Sequence, residues 1–222
     1  MSQKETTNQN SDDSASEVSA SEVVDLEKTI QHDGDIIATE DEELIFNPYN
    51  EGNVEITLSE VQSILTRYGV PGTVHNLNLY KRAFIHRSYT KRPFLENQEN
   101  GIEIAEQPED CMSLKTKSNE RLEFLGDALL ASIVAEYLFE YYPNAKEGEL
   151  TKLRAKIVSR SKLNEIGKQM DLFKFAKISD PHKNFGEDIH GNLLESLIGA
   201  IFVDKGYIKT KKYIVNEIIL PY

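Results

Sequence analysis

Apolar residues recur at three- and four-residue intervals along most of the chain after residue 55, a spacing that places them on one face of an α-helix. The stretch 57–70 shows the full pattern, because Thr57 or Ser59 provides an N-cap and Gly69 provides a stop. The same spacing predicts helices over 77–90, 119–142, 191–206 and 207–222, and one or two helices over 146–170. Neither strand-like alternation nor an internal repeat is evident in the sequence. We therefore expect an all-α fold.

Two segments lack this pattern. Residues 1–44 are rich in Ser, Asp and Glu and poor in aromatic residues, a composition typical of disordered chains. Residues 91–118 mix Pro, Gly, Asn and charged residues without periodicity, which indicates an insertion that is partly disordered. We therefore divide the chain into an acidic, disordered tail over 1–44 and one folded domain over 45–222 that contains the insertion.

The negative charge of the protein belongs almost entirely to this tail. The chain of 222 residues carries a formal net charge of −12, and residues 1–45 hold −11 of it through thirteen acidic and two basic side chains. The folded part is therefore nearly neutral. The low pI does not exclude a surface that binds nucleic acid, because such a surface needs only local basic charge.

The rest of the composition excludes several classes of protein. Cys111 is the only cysteine, which excludes an internal disulfide framework and a cysteine-cluster zinc site. No apolar run is long enough to span a membrane, and the N-terminus resembles neither a secretory signal nor a mitochondrial transit peptide. We expect an intracellular protein of the cytoplasm or nucleus that makes no membrane contact.

Acidic side chains share one face of the helix predicted over 119–142. Glu120, Glu123 and Asp127 are three, four and seven residues apart within the sequence NERLEFLGDALL, where like charges repel one another. Two interpretations fit this spacing. The acids form a solvated surface, or they bind a hard divalent cation such as Mg²⁺, which prefers oxygen ligands.

A further acid lies in the apolar helix predicted over 191–206. Glu195 follows Asn192 by three residues, and the surrounding residues indicate a mostly buried helix. A glutamate in such a helix either faces water or is buried. If it is buried, it must find a partner, or its pKa rises and the carboxyl becomes neutral. If the two helices pack together, Glu195 joins Glu123 and Asp127 around one pocket suited to one or two Mg²⁺ ions.

The sequence NERLEFLGDALL resembles the signature motif of ribonuclease III, a family of double-stranded-RNA endonucleases. The sequences HRSY (86–89), EGELTKLRAKIVSRSKL (147–163) and LLESLIGAIFVDKG (193–206) match the family in the same order. This resemblance covers roughly residues 55–218. It implies an all-helical endonuclease domain that acts as a homodimer on double-stranded RNA. It also implies hydrolysis that requires Mg²⁺, with Mn²⁺ as an alternative, and that leaves 5′-phosphate and 3′-hydroxyl ends.

The resemblance assigns roles by motif position. Glu123, Asp127 and Glu195 match catalytic carboxylates that bind the metal, and Asn192 takes the position of a fourth metal ligand. Glu120 matches a catalytic-site acid that supports the ligands or contacts RNA. The family usually has aspartate where this chain has Asn192, so we expect weaker metal affinity. Catalysis is retained if this position only braces the site through hydrogen bonds, and it is lost if the metal needs the charge.

The resemblance also implies surfaces for RNA and for a second subunit. Phe124 matches an apolar residue that inserts into the partner subunit, which would explain an exposed phenylalanine on a helix whose other side is buried. A-form RNA is recognised through its shape and phosphates, and basic side chains in the matching motifs are candidate contacts. These candidates are His86, Arg87, Lys152, Arg154 and Arg160, and each is also compatible with a solvated or helix-bridging role.

Three interpretations of the function remain open from the sequence. Typical family members carry a double-stranded-RNA-binding domain after the nuclease domain, whereas this chain ends at EIILPY. A short form, a fragment or a separate RNA-binding partner would explain this. The leading interpretation is an active endonuclease, and Asn192 favours the alternative of a non-catalytic RNA-binding or scaffold protein. A third interpretation, an all-α interaction module, accounts for the acidic tail but not for the motifs.

Overall fold

The predicted helices form the body of the molecule in a computed structural model, which describes residues 36–38, 44–90, 101–180, 182 and 184–221. The α-helices are α1 (Leu58–Arg67), α2 (Leu77–Ala83), α3 (Glu120–Tyr141), α4 (Glu147–Ile157), α5 (Arg160–Gln169), α6 (Asp188–Lys205) and α7 (Tyr207–Ile214). Short 3₁₀ turns cover Arg87–Tyr89 and Leu172–Phe175, and a π-helical turn covers Val215–Ile219. The described part of the chain is therefore mainly helical, which confirms the predicted class.

Helix α6 lies at the centre of the fold and packs along α3, α5, α2 and α7. Its apolar residues occur on several faces rather than on one stripe, and such a helix is stable in water only when neighbours cover it on all sides. Buried side chains of α6 share one core with residues of the surrounding helices. The α6 members of this core are Ile189, Leu193, Leu194, Leu197, Ile198, Ala200 and Ile201.

Two glycines allow the backbones of α3 and α6 to touch. A Cβ atom at Gly126 would lie 1.8 Å from the carbonyl oxygen of Glu195, and one at Gly199 would lie 2.2 Å from a carbonyl oxygen of α3. No side chain fits in either place, so each helix presents a glycine to the other. This contact brings Glu123 and Asp127, which flank Gly126 on α3, beside the turn of α6 that carries Glu195.

The start of α3 is anchored by the buried residue Asn119. Its backbone N–H donates to the carbonyl oxygen of Ile85 at 2.8 Å, and its side-chain Nδ2 donates to Oγ of Ser196 on α6 at 3.0 Å. Buried amides are stable when they are hydrogen-bonded in this way. The first turn of α3 therefore has a fixed position relative to α6.

Several helix limits differ from those predicted. Helix α1 begins as expected, with Thr57 as the cap of a capping box. The helix predicted over 77–90 is wrong in its length, because α2 ends at Ala83. The helix predicted from Gly191 begins three residues earlier, at Asp188. Gly191 is an interior helix residue because it packs closely on α5, where its N–H donates to Oδ1 of Asn164.

A small three-stranded sheet was not predicted. Strand β1 (Ile36–Ala38) pairs antiparallel with β2 (Leu44–Phe46), which pairs parallel with β3 (Glu103–Ile104). These strands are two or three residues long, too short for alternation to reveal them. Strand β1 lies within the segment predicted as a disordered tail, so that prediction is wrong for these three residues.

The predicted insertion is packed over the part that the structure describes. Ile102, Cys111 and Leu114 are buried, although the segment has no periodic pattern. The expected disorder over 1–35, 39–43 and 91–100 lies outside the described residues. All described residues belong to one unit of the chain, Gly34–Tyr222.

Candidate active site

A cleft of about 320 Å³ opens where the first turns of α3 and α6 meet the HRSY motif. Glu120 and Glu123 line it from α3, Asn192 lines it from α6, and His86 and Arg87 line it from the motif. Acidic, amide and basic side chains from three separate sequence motifs thus share one cavity. Asn119, Phe185, Asp188 and Ile189 complete the lining.

Glu195 is buried beside this cleft, with 1% of its surface exposed. The guanidinium of Arg160, the first residue of α5, provides its counter-charge. Nη1 of Arg160 donates to Oε2 of Glu195 at 3.1 Å and to Oδ1 of Asn192 at 2.9 Å. One nitrogen therefore bridges the two α6 residues that the sequence singled out.

The acids of α3 and α6 affect one another's ionisation. Burial raises the pKa of Glu195 to about 7, Arg160 counteracts part of this rise, and the negative charges of Asp127 and Glu123 add to it. Burial also raises the pKa of Glu123, while the nearby Arg160 opposes the rise and Glu120 and Asp127 add to it. The charges of these acids on α3 and α6 therefore act on one another across the contact between the two helices.

The donor atoms around Arg160 fit a hard cation. Oε2 of Glu195 and Oδ1 of Asn192 already face one positively charged group, and carboxylate and amide oxygens are ligands that Mg²⁺ accepts. Within the described residues, including those of this site, no group of three His, Cys, Asp or Glu side chains lies close enough together to hold a metal ion. Binding of a metal by the predicted set therefore requires side-chain rearrangement around Arg160.

The remaining predicted acids occupy different surroundings. Glu120 is exposed at the cleft and accepts a hydrogen bond from Oγ of Ser118 at 2.8 Å. Asp127 is exposed one turn after Glu123 and does not line the cleft, although its charge acts on both Glu123 and Glu195. The structure therefore brings Glu120, Glu123 and Asn192 to one cavity, whereas Glu195 is buried one helical turn after Asn192 and Asp127 does not line the cavity.

The predicted RNA contacts separate into two groups. His86, Arg87 and Arg160 lie at the cleft or contact its residues. His86 also has a structural role, because Nδ1 of its ring accepts the backbone N–H of Ser88 at 3.2 Å. Lys152 and Arg154 are exposed on α4 and do not line the cleft.

Phe124 projects from α3 with 80% of its surface exposed. The opposite side of α3 contributes Leu122, Leu130 and Ile133 to the core, so Phe124 makes no comparable contribution. A large apolar side chain in this position is available for a protein contact. The exposure required for its predicted role at a dimer interface is present.

Four residues that line the cleft were not among the predicted site residues, and two of them, Asp188 and Phe185, contact other residues named here. Asp188 lies four residues before Asn192, and Oδ1 of Asp188 accepts a hydrogen bond from Nδ2 of Asn164 at 3.0 Å. Helical spacing would have placed Asp188 on the face of Asn192 if the start of α6 had been predicted correctly. Phe185 precedes α6, and its ring meets that of His86 edge-on at 4.8 Å. No sequence signal marks Phe185, because it belongs to an irregular segment.

Comparison with known proteins identifies the family of this chain. The family model described as Ribonuclease-III-like matches residues 76–222, which include the cleft and α6. The chain belongs to the ribonuclease III family. It is 43% identical over 147 residues to Ribonuclease 3 of Zunongwangia profunda, covering 66% of this chain and 53% of that protein. It is also 43% identical to Ribonuclease 3 of Flavobacterium psychrophilum, covering 66% of this chain and 52% of that protein.

Solved structures of ribonuclease III nuclease domains share the fold. A nuclease domain from Campylobacter jejuni matches with a TM-score of 0.56 and 28% identity, covering 75% of this chain and 96% of that chain. A second structure of that domain, described for structural flexibility in a region involved in dimer formation, matches with a TM-score of 0.57 and 28% identity over 75% of this chain and 100% of that chain.

The match to curated ribonuclease III proteins is partial in length. The chain spans about half the length of the two curated relatives named above.

Within the described residues, none of the helices is both long and apolar enough to cross a membrane.

Proposed function

We propose that this chain is the nuclease domain of an endoribonuclease that cleaves double-stranded RNA by metal-dependent phosphodiester hydrolysis. The observation that carries the proposal is the burial of Glu195 beside Asn192, at a cleft that Glu120 and Glu123 line. Buried acids without a structural need are costly, and they are characteristic of sites that bind cations or perform catalysis. Membership of the ribonuclease III family supports the same conclusion.

In this proposal, Glu123, Asp127 and Glu195 hold Mg²⁺, and the amide oxygen of Asn192 adds a neutral ligand. Mn²⁺ would be accepted at the same site because it also binds oxygen donors. When bound, the cation activates water and shelters the charge that develops on the phosphate oxygens. Glu120, which lines the cleft, would support the ligands or contact RNA.

The basic residues bind and position the RNA. Arg87 and His86 lie on the cleft wall, where they would contact a phosphate close to the acids. Lys152 and Arg154 on α4 would contact phosphates further along the duplex. Because these contacts are electrostatic, we expect the affinity for RNA to fall steeply with salt.

The test is cleavage of a long RNA duplex by the purified protein. We expect cuts that leave 5′-phosphate and 3′-hydroxyl ends in Mg²⁺, and no cuts in a chelator. Single-stranded RNA of the same sequence should be cut much more slowly, because recognition depends on the A-form duplex. End analysis of the products by labelling and gel electrophoresis measures each expectation. Intact duplex at every protein concentration in Mg²⁺ would instead favour a non-catalytic RNA-binding or scaffold protein.

A homodimer completes the proposed enzyme. A two-fold interface uses the same patch twice, and Phe124 is 80% exposed next to Glu123, so the interface and the acids would be adjacent. Two sites across such a dimer would cut both strands and leave short 3′ overhangs. The structural relative from Campylobacter jejuni has a region involved in dimer formation.

We predict that Phe124→Arg converts the protein to a monomer and sharply reduces cutting of both strands. A buried charge without a partner at a two-fold interface costs several kcal/mol on each side. Light scattering after size-exclusion chromatography measures the mass of the species. The control is Phe139→Arg, which changes another exposed phenylalanine about 22 Å further along α3 and should leave the mass unchanged. A dimeric Phe124→Arg protein would contradict the interface.

A further inference from the structure

Arg160 makes contacts that the proposed function does not require. The same nitrogen, Nη1, donates to Oδ1 of Asn192 at 2.9 Å and to Oε2 of Glu195 at 3.1 Å. Both oxygens belong to residues that would hold the metal. Their acceptor positions therefore already face a cation that belongs to the protein itself.

We propose that Arg160 is an internal counter-cation that occupies the metal position when no divalent cation is bound and must leave Asn192 and Glu195 before one binds. This inference rests on the proposed metal-dependent function. Two cations that share the same oxygen atoms repel each other, so their binding is mutually exclusive or strongly antagonistic. Arg160 would thus stabilise the metal-free protein and lower the affinity for the metal.

The surroundings of Arg160 allow it to leave. Its side chain is 46% exposed, whereas that of Glu195 is 2% exposed. The guanidinium therefore has access to water on one side, while the carboxylate has no alternative to a partner inside the protein. The absence of a side chain at Gly191 leaves room beside the guanidinium, because a Cβ atom at Gly191 would lie 3.1 Å from Nη1 of Arg160. Because the Arg160 side chain is partly exposed, its rotation can move the guanidinium into water.

Asn192 affects both sides of this competition. An aspartate in its place would add a charge for the metal, but it would also hold Arg160 with a second carboxylate. The neutral amide makes only a hydrogen bond to a charged group, so it weakens the hold on Arg160 as well. We therefore expect Asn192→Asp to increase metal affinity much less when Arg160 is present than when it is absent.

The experiment is a double-mutant cycle on the full chain, with Mn²⁺ binding measured by isothermal titration calorimetry in the absence of RNA. The four proteins are the wild type, Arg160→Gln, Asn192→Asp and the double variant. Arg160→Gln should bind Mn²⁺ on the order of tenfold more tightly, since it loses the charged donor whose contacts to Asn192 and Glu195 compete with the metal. Asn192→Asp should gain more affinity in the Arg160→Gln background than in the wild type.

A second measurement does not depend on binding heats or activity. Without metal, Arg160→Gln should unfold at a lower temperature than the wild type, because buried Glu195 loses its counter-charge. Added Mn²⁺ should raise its unfolding temperature by more than that of the wild type, in line with its tighter binding. Lys168→Gln is the matched control, because it removes a cation of α5 that pairs with exposed Glu187 and should change neither quantity. If Arg160→Gln does not fold, Arg160→Lys should show a smaller change in the same direction.

The outcomes separate this inference from the proposed function. Equal or weaker Mn²⁺ binding by Arg160→Gln, or additive effects in the cycle, would overturn the role of Arg160 even if the protein cleaves RNA. Antagonism between Arg160 and Mn²⁺ in a protein that never cleaves RNA would support the counter-cation and defeat the nuclease. Absence of Mn²⁺ binding in all four proteins would overturn both.

Discussion

Replacement of Glu195 by glutamine should abolish RNA cleavage while the fold is retained. Glutamine has the shape of glutamate but no charge, so the proposed metal would lose its most deeply buried carboxylate. Loss of a group that stabilises transition-state charge commonly costs a factor of about 10² to 10³ in rate, and a principal metal ligand belongs at the upper end of that range. We therefore expect cleavage in Mg²⁺ to fall by on the order of a thousandfold.

The same substitution should not destabilise the metal-free protein. Burial raises the pKa of Glu195 to about 7, which means that the ionised carboxylate is unfavourable in its pocket. A neutral amide removes that cost, and Arg160, which is partly exposed, can be solvated. Thermal unfolding of Glu195→Gln at neutral pH should therefore occur at or above the wild-type temperature.

Glu187→Gln serves as the control for Glu195→Gln, because it makes the same chemical change at an exposed position just before α6. It should leave cleavage unchanged. Duplex cleavage at the wild-type rate by Glu195→Gln would refute the catalytic assignment. Lost cleavage together with a lower unfolding temperature would show that Glu195 is needed for the fold rather than for the reaction.

Replacement of Gly126 by alanine should separate α3 from α6. Its Cβ atom would lie 1.8 Å from the carbonyl oxygen of Glu195, and backbone atoms cannot move aside as the end of a side chain can. Overpacking of a core typically costs about 1–3 kcal/mol, and a clash with backbone belongs at or above the upper end. We expect a loss of about 3 kcal/mol in the free energy of unfolding, measured by urea denaturation.

Activity should suffer even in the folded fraction of Gly126→Ala. The substitution displaces Glu123 and Asp127 relative to Glu195, and a misplacement of about 1 Å at a catalytic site costs roughly a hundredfold in rate. Gly148→Ala on α4 is the matched control, because nothing lies within 4 Å of its new Cβ atom. It should be neutral or slightly stabilising, since alanine favours helix formation. Wild-type stability of Gly126→Ala would contradict the close contact.

Local sequence signals predicted the helices and part of the site. Thr57, one of the two candidate N-caps, caps α1, and the apolar residues around Glu195 indicate a mostly buried helix, although they leave open whether Glu195 itself faces water. The family resemblance then gave the expected roles of Glu123, Asp127 and Phe124, which stay predictions. These features are encoded within one helix, where spacing determines which residues share a face.

Features that depend on contacts between distant segments were not predictable. Arg160 lies 35 residues before Glu195, and no spacing rule connects residues on different helices. Glycine usually weakens helices, so the sequence predicts a helix boundary at Gly191, but the packing of Gly191 against Asn164 outweighs that preference. The strands of the small sheet are likewise stabilised by pairing with one another rather than by their own sequences.

The glycine contact between α3 and α6 has a consequence for how this protein tolerates sequence change. The separation of the two acidic helices is set where main chain meets main chain, at Gly126 and Gly199. Leucine and isoleucine residues elsewhere in the core can therefore be exchanged for one another with little effect on the distance between the carboxylates. Such exchanges in the interior should therefore leave the spacing of the two acidic helices unchanged.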